Sequence, residues 1–208
     1  MSKLKVMGIG VMDVKGGSRY MGSMCKMYQC WQAMLVRCVN HPDFHYKPLD
    51  YFVSEEWLTY SVFKKWMGKQ NWKGKCLAKE IRCSLNVRYS KETCLFVTKQ
   101  VQAAIRRSMR GEYPGAHYAP QNTNKPYTAR IHVLGVYTYL GAFKTKYEAS
   151  IVYNRARADY LQRLGEGEED KKVCSALLGL AETCRKEARL TQQEWDNQKA
   201  MLKIAGFT

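Results

Sequence analysis

Polar and apolar side chains alternate along Pro126-Tyr127-Thr128-Ala129-Arg130-Ile131-His132-Val133. That period of two puts Ala129, Ile131 and Val133 on one face of a strand and Thr128, Arg130 and His132 on the other. Gly135 turns the chain into a second strand, where Tyr137 and Tyr139 project on the polar side. The period changes after Thr145. Thr145-x-x-Glu148 is a capping box, and Ala149, Val152, Tyr153, Ala156 and Tyr160 then recur at helical spacing. The pattern over Tyr113 to Leu164 predicts a three-stranded sheet followed by one helix that covers its apolar face.

Upstream, Trp31, Met34, Leu35 and Cys38 fall at helical spacing within Tyr28 to Cys38, which predicts an amphipathic helix. The polar, proline-containing stretch from Asn40 to Asp50 reads as a loop. A second helix is expected from Glu55 to Met67, with Trp57, Tyr60, Phe63 and Met67 on its buried side. Short strands follow at Cys76 to Ile81 and around Tyr89 to Val97, and a basic helix from Thr98 to Arg110. At the other end, Gly165 to Asp170 reads as an acidic hinge whose carboxylates favour a helix start. Val173, Ala176, Leu177, Leu180 and Cys184 form one apolar stripe. A second capping box, Thr191-x-x-Glu194, predicts a further helix carrying Trp195, Met201, Leu202 and Ile204, so residues 165–208 read as a helical hairpin.

Charge sharpens this picture. The 208 residues carry 34 Lys and Arg against 18 Asp and Glu, a formal net charge of +16. An excess of that size suggests a polyanionic partner. Residues 1–110 hold 20 basic and 7 acidic side chains, residues 111–164 hold 7 and 3, and residues 165–208 hold 7 and 8. The first two segments therefore carry the whole excess. Met1-Ser2-Lys3-Leu4-Lys5 leads into no apolar run of signal-peptide length, and no stretch approaches a membrane span. A cytoplasmic chain with its eight cysteines reduced is the expectation. Cys38-x2-His41-x3-His45 has ligand-like spacing but lacks a clear fourth ligand for structural zinc.

The run Leu140-Gly141-x-Phe143-x-Thr145-x-x-Glu148-Ala149, with the strand before it, resembles the Apetala-type (ethylene-response-factor) DNA-binding domain over about fifty residues. The resemblance implies a sheet lying in the DNA major groove. It implies contacts from His117, Arg130, His132, Tyr137 and Tyr139, with Tyr153 on the helix reaching a phosphate. Pro114, His117 and Ala119 stand where plant members carry arginines, and Tyr139 stands for a tryptophan. Fewer bidentate donors are then available to read base edges.

Residues from Gly8 to Arg107 resemble phage-borne HNH homing endonucleases that end in an Apetala-type domain. The matching residues are Trp31, Met34, Leu35, Arg37 and Cys38, then Glu56, Trp57, Phe63, Trp66 and Met67, then Tyr89-Ser90-Lys91-Glu92-Thr93-Cys94-Leu95-Phe96-Val97. The resemblance implies a strand-strand-helix hairpin holding one divalent cation, magnesium, that activates water against a phosphodiester. Here the first acidic ligand position is Ala78, Glu80 stands for an Asp, Lys79 lies between them, Gln102 replaces an Asn, and Asn86 is retained. Glu80 and Asn86 are the remaining metal-ligand candidates, and His41 and His45 the candidate bases. Lys99, Arg106 and Arg107 are candidates for phosphate contact.

The sequence therefore predicts an α+β chain: a degenerate HNH-type (ββα-metal-like) domain at 1–110, an Apetala-type sheet-and-helix domain at 111–164, and a helical tail at 165–208. The expected function is binding of double-stranded DNA by a phage or mobile-element protein of homing-endonuclease descent with weak or lost cleavage. Such a protein would suit a regulator, or a host-takeover or anti-defence factor in a bacterial cytosol. One alternative is an active magnesium-dependent endonuclease. The other is a protein-interaction factor whose tail, 165–208, engages a host enzyme or a second copy.

Overall fold

A computed structural model describes residues 4–39, 51–83, 85–106 and 113–205. The chain is α+β, with small sheets and a long helical region at its C-terminal end. It divides into two units, 1–102 and 103–208. Among the described residues no helix is long and apolar enough to cross a membrane.

The first unit is built on short elements. Strands β1 (Leu4–Val6) and β2 (Gly10–Met12) pair antiparallel, as do β3 (Arg19–Tyr20) and β4 (Ser23–Met24). Helix α1 (Lys26–Val36) has no Gly or Pro and buries Trp31, Met34 and Leu35. Strand β5 (Phe52–Val53) leads into α2 (Glu55–Leu58) and α3 (Tyr60–Met67). The sequence predicts one helix here, but Thr59 takes an extended conformation and bridges Val11, which divides it. The division changes no face, because Trp57, Tyr60, Phe63 and Met67 are all buried. Asp13 caps α3 from outside: its carboxylate accepts from the Ser61 amide at 2.9 Å and from the Ser61 hydroxyl. A negative charge there also suits the positive end of the helix.

Strands β6 (Cys76–Ala78), β7 (Arg88–Tyr89) and β8 (Leu95–Val97) follow, then α4 (Lys99–Ile105). β6 pairs antiparallel with β8, and β5 pairs parallel with β7. The expected strand to Ile81 stops at Ala78, where the chain turns toward Asn86. The core of this unit gathers Trp31, Trp57, Tyr60 and Phe63 with the aliphatics around them. The Trp31 indole N–H donates to the Trp57 carbonyl at 2.7 Å, so a large ring is buried without leaving its polar atom unpaired.

In the second unit β9 (Ala116–Tyr118), β10 (Tyr127–Val133) and β11 (Val136–Phe143) form an antiparallel sheet in the order β11-β10-β9. Helix α5 (Lys146–Glu166) starts with Thr145 and Glu148 satisfying each other's backbone amides. Ala129 on the sheet and Ala149 and Tyr153 on α5 make the core between the two layers. Gly115 sits at φ +78, and a Cβ there would lie 1.9 Å from the Tyr153 ring. Only glycine lets β9 begin this close to α5.

The tail departs from expectation. Residues 171–204 form one helix, α6 (Lys171–Ile204), rather than a hairpin of two. The capping box at Thr191 is unused because the stretch around it contains no Gly or Pro and both neighbours hold it helical. The Tyr113 hydroxyl bonds Glu194 at 2.7 Å, and the Trp195 ring stacks on Tyr147 at 5.0 Å. The acidic hinge is correspondingly shorter: α5 runs to Glu166, and Asp170 caps α6 through the Lys172 and Val173 amides. The α6 helix returns antiparallel along α5, with Gly165 beside Leu177 and Leu178, Gln162 and Asp159 beside Arg185, and Tyr147 beside Trp195.

Candidate nucleic-acid interface

The open face of the second unit's sheet is set by register. His117 pairs with Thr128, Arg130 with Tyr139 and His132 with Tyr137, so these residues lie on one face. His117, Arg130, His132, Tyr137 and Tyr139 are all exposed. The His132 and Tyr137 rings meet with centroids 4.9 Å apart.

A β-bulge makes this face possible. Ala129 pairs with Gly141 but Arg130 pairs with Tyr139, which leaves Leu140 as the extra residue. In an unbroken strand, Tyr137, Tyr139, Gly141 and Phe143 would share a face. The bulge resets the alternation, so Phe143 packs toward Ala129 and Tyr153 while both tyrosines point away. Gly141, at φ +136, takes the backbone conformation this requires.

The electrostatics are one-sided. From Tyr113 to Tyr147 the chain has no Asp or Glu, and it carries Lys125, Arg130, Lys144 and Lys146. A polyanion approaching this segment therefore meets cations and aromatic faces, and no carboxylate that the segment itself contributes.

Tyr153 does not join that surface. It is 6% exposed, and its hydroxyl accepts from Arg157 at 3.3 Å. The position expected to touch phosphate is a core residue. Arg157 is itself 4% exposed and donates to the carbonyls of Ile105 and Arg106, both at 2.9 Å. Its charge thus satisfies the end of α4 instead of facing solvent. The spacing Tyr153-x3-Arg157, one helical turn, was the available sequence signal for this pair. Arg106 is exposed, and so is Lys99 in the first unit. Arg107, His41 and His45 lie outside the described residues.

In the first unit the residues around β6 are brought together, but not as metal ligands. Ala78 is fully buried and Lys79 is 1% exposed. The Lys79 ammonium pairs with the Glu80 carboxylate, donates to the Asn86 carbonyl at 3.1 Å, and lies 3.7 Å from the centre of the Tyr51 ring. The Asn86 side-chain amide donates to the carbonyls of Lys79 and Arg88, each at 2.8 Å, and its oxygen accepts from the Arg88 amide at 3.2 Å. Asn86 is therefore spent on holding the loop, and Glu80 is neutralised by its neighbour. Gln102, at the other candidate position, has its side-chain oxygen buried without a partner among the described residues.

A divalent cation needs several hard oxygen donors free to converge on it. Among the described residues no group of three His, Cys, Asp or Glu side chains is placed to hold a metal ion. An ammonium already supplies the positive charge that Glu80 needs, so these residues do not fit a magnesium centre. Cys38 and Cys30 do not change this. Both thiols are pushed up to about 11 by burial, which holds them protonated at neutral pH. None of the eight cysteines is in a disulfide.

No protein-family model matches the chain, and no curated protein and no solved structure matches it.

Proposed function

We propose that this chain binds double-stranded DNA through the open face of the β11-β10-β9 sheet, and that an HNH-type hairpin at β6, β8 and α4 persists without a working metal centre. The observation that carries the reading is the face itself. His117, Arg130, His132, Tyr137 and Tyr139 stand exposed together on a segment free of carboxylates. Arg130 is the donor on this face that can make a bidentate bond to a guanine edge, while the tyrosines and histidines supply single hydrogen bonds and flat apolar contact. Phosphate contacts would then supply most of the affinity, with Lys99, Arg106 and Arg107 among the donors.

Strand-strand-helix order at β6, β8 and α4 supports the hairpin assignment, and the Lys79–Glu80 pair supports loss of cleavage. Descent from a phage or mobile-element homing endonuclease is the reading that the sequence resemblance supports. Retained binding without cutting suits a regulator or a host-takeover or anti-defence factor. Selection of bound duplexes from a random pool tests the assignment. Arg130→Ala is expected to weaken binding by about 1–3 kcal/mol and to blur preference at one base position. A selected site that Arg130→Ala leaves unchanged removes this face from the interface.

A further inference from the structure

The β10–β11 hairpin ends in a tight two-residue turn. Its two central residues, Leu134 and Gly135, both have positive φ, 52° and 86°. This is the left-handed two-residue turn that favours Asn, Asp or Gly at its first position. A branched aliphatic residue is strained there, and packing does not explain its presence, because Leu134 is 68% exposed. Val136 and Tyr137 beside it are 64% and 78% exposed. The tip is nevertheless held firmly: the Leu134 amide donates to the hydroxyl of Tyr160, a buried residue of α5, at 3.4 Å. Strain at an exposed and braced apolar residue points to function at that residue.

The geometry points to a wedge. We propose that Leu134, flanked by Val136 and Tyr137, inserts between stacked base pairs of the duplex held by the adjoining sheet face, and kinks it. This rests on the duplex-binding reading above and adds the mode of engagement. Charge selects the occupant. The segment from Tyr113 to Tyr147 carries only cationic charge, so it attracts a polyanion, and the apolar tip lies directly beyond His132 and Tyr137 on the same hairpin. A nucleic acid offers both requirements within a few ångströms: phosphates for the cations and an apolar base step for the leucine. Proteins that insert Leu, Ile, Phe or Met in this way bend the duplex by about 20–90° and partly unstack the step.

The full chain is tested on a mixed-sequence duplex of about 30 base pairs, dye-labelled at both ends and carrying 2-aminopurine at successive positions. The natural chain is expected to shorten the end-to-end distance and to raise 2-aminopurine emission several-fold at one or a few steps. Leu134→Asn relieves the turn, so its thermal midpoint should equal or exceed that of the natural chain. It should abolish both optical changes while affinity falls by no more than about tenfold, because the phosphate contacts remain. Leu134→Met should keep both changes. If Leu134→Asn kinks and unstacks DNA as the natural chain does, or the bound natural chain does neither, the wedge is wrong and duplex binding stands. If the natural chain does not bind the duplex at all, the duplex reading fails and takes the wedge with it. If Leu134→Asn instead loses binding to phosphatidylserine-containing vesicles while DNA deformation is unchanged, the tip is a membrane anchor and the proposal is overturned.

Discussion

Lys79 and Asn86, seven positions apart in the chain, hold each other. The lysine ammonium donates to the asparagine carbonyl at 3.1 Å, and the asparagine amide donates to the lysine carbonyl at 2.8 Å. With Glu80 as counterion and the Tyr51 ring against it, Lys79 is a buried ammonium that ties the end of β6 to Asn86.

Removing that ammonium should be costly. Lys79→Met leaves the Asn86 carbonyl short of a donor and Glu80 without its counterion. Glu80 is 27% exposed and can be rehydrated, which keeps the loss below that of a fully buried orphan charge. A destabilisation of about 1–3 kcal/mol is expected from urea unfolding. An unchanged midpoint would mean that the pair contributes nothing to the fold.

The α6 helix should be separable at one point only. Val173, Leu177 and Leu180 are buried, each contributing about 1.5–3 kcal/mol, and the sum rivals the whole stability of a typical domain. Ending the chain at Gly167 is therefore expected to unfold the second unit, and ending it at Asp196 to leave it folded, since residues 197–205 are exposed. Circular dichroism melts of the two truncations decide this. A stable unit ending at Gly167 would show that α6 is dispensable.

The extent to which the sequence revealed this architecture depends on how local each signal was. The alternation over Tyr127 to Val133, the capping box at Thr145 and the helical spacing of Trp57, Tyr60, Phe63 and Met67 are fixed by neighbours in the chain, and all are present in the fold. What escaped depends on distant partners. Thr59 breaks a helix because Val11 offers a bridge, and Thr191 stays helical because Tyr113 and Tyr147 hold the next turn. At the candidate sites, the residues of the open sheet face were legible because period two assigns faces. The Leu140 bulge that keeps Tyr137 and Tyr139 on the open face was not, although Gly141 marked it. The burial of Tyr153 was not legible, because helical spacing alone does not distinguish a residue at the rim of the sheet from one beneath it.

Alkaline pH should weaken the first unit. The Cys94 thiol is pushed up to about 12, and Cys30 and Cys38 to about 11, all by burial. Because the folded values exceed the unfolded value near 9, this stabilisation is complete below pH 9 and is lost as the pH rises through 11–12. Burial raises the Tyr60 and Tyr89 hydroxyls in the same direction. Unfolding free energy should be flat from pH 7 to 9 with respect to these groups and fall beyond it, less steeply in Cys94→Ala. An equal slope in the variant would show that Cys94 does not titrate in this window.

Cleavage should be absent. Glu80 and Asn86 are committed to Lys79 and the loop backbone, so supercoiled plasmid with magnesium or manganese is expected to remain uncut. Cutting by the natural chain that disappears in Glu80→Ala would establish an endonuclease with a rearranged centre.

Duplex affinity measured across a salt series tests the central claim most directly. Residues 1–164 carry the whole basic excess of the chain, and binding through phosphates releases counterions in proportion to the contacts made. With on the order of five phosphates neutralised, a plot of log affinity against log salt should have a slope near −4.5, and affinity should fall about 500-fold between 50 and 200 mM. A flat line, or no binding at the lowest salt, would contradict the account.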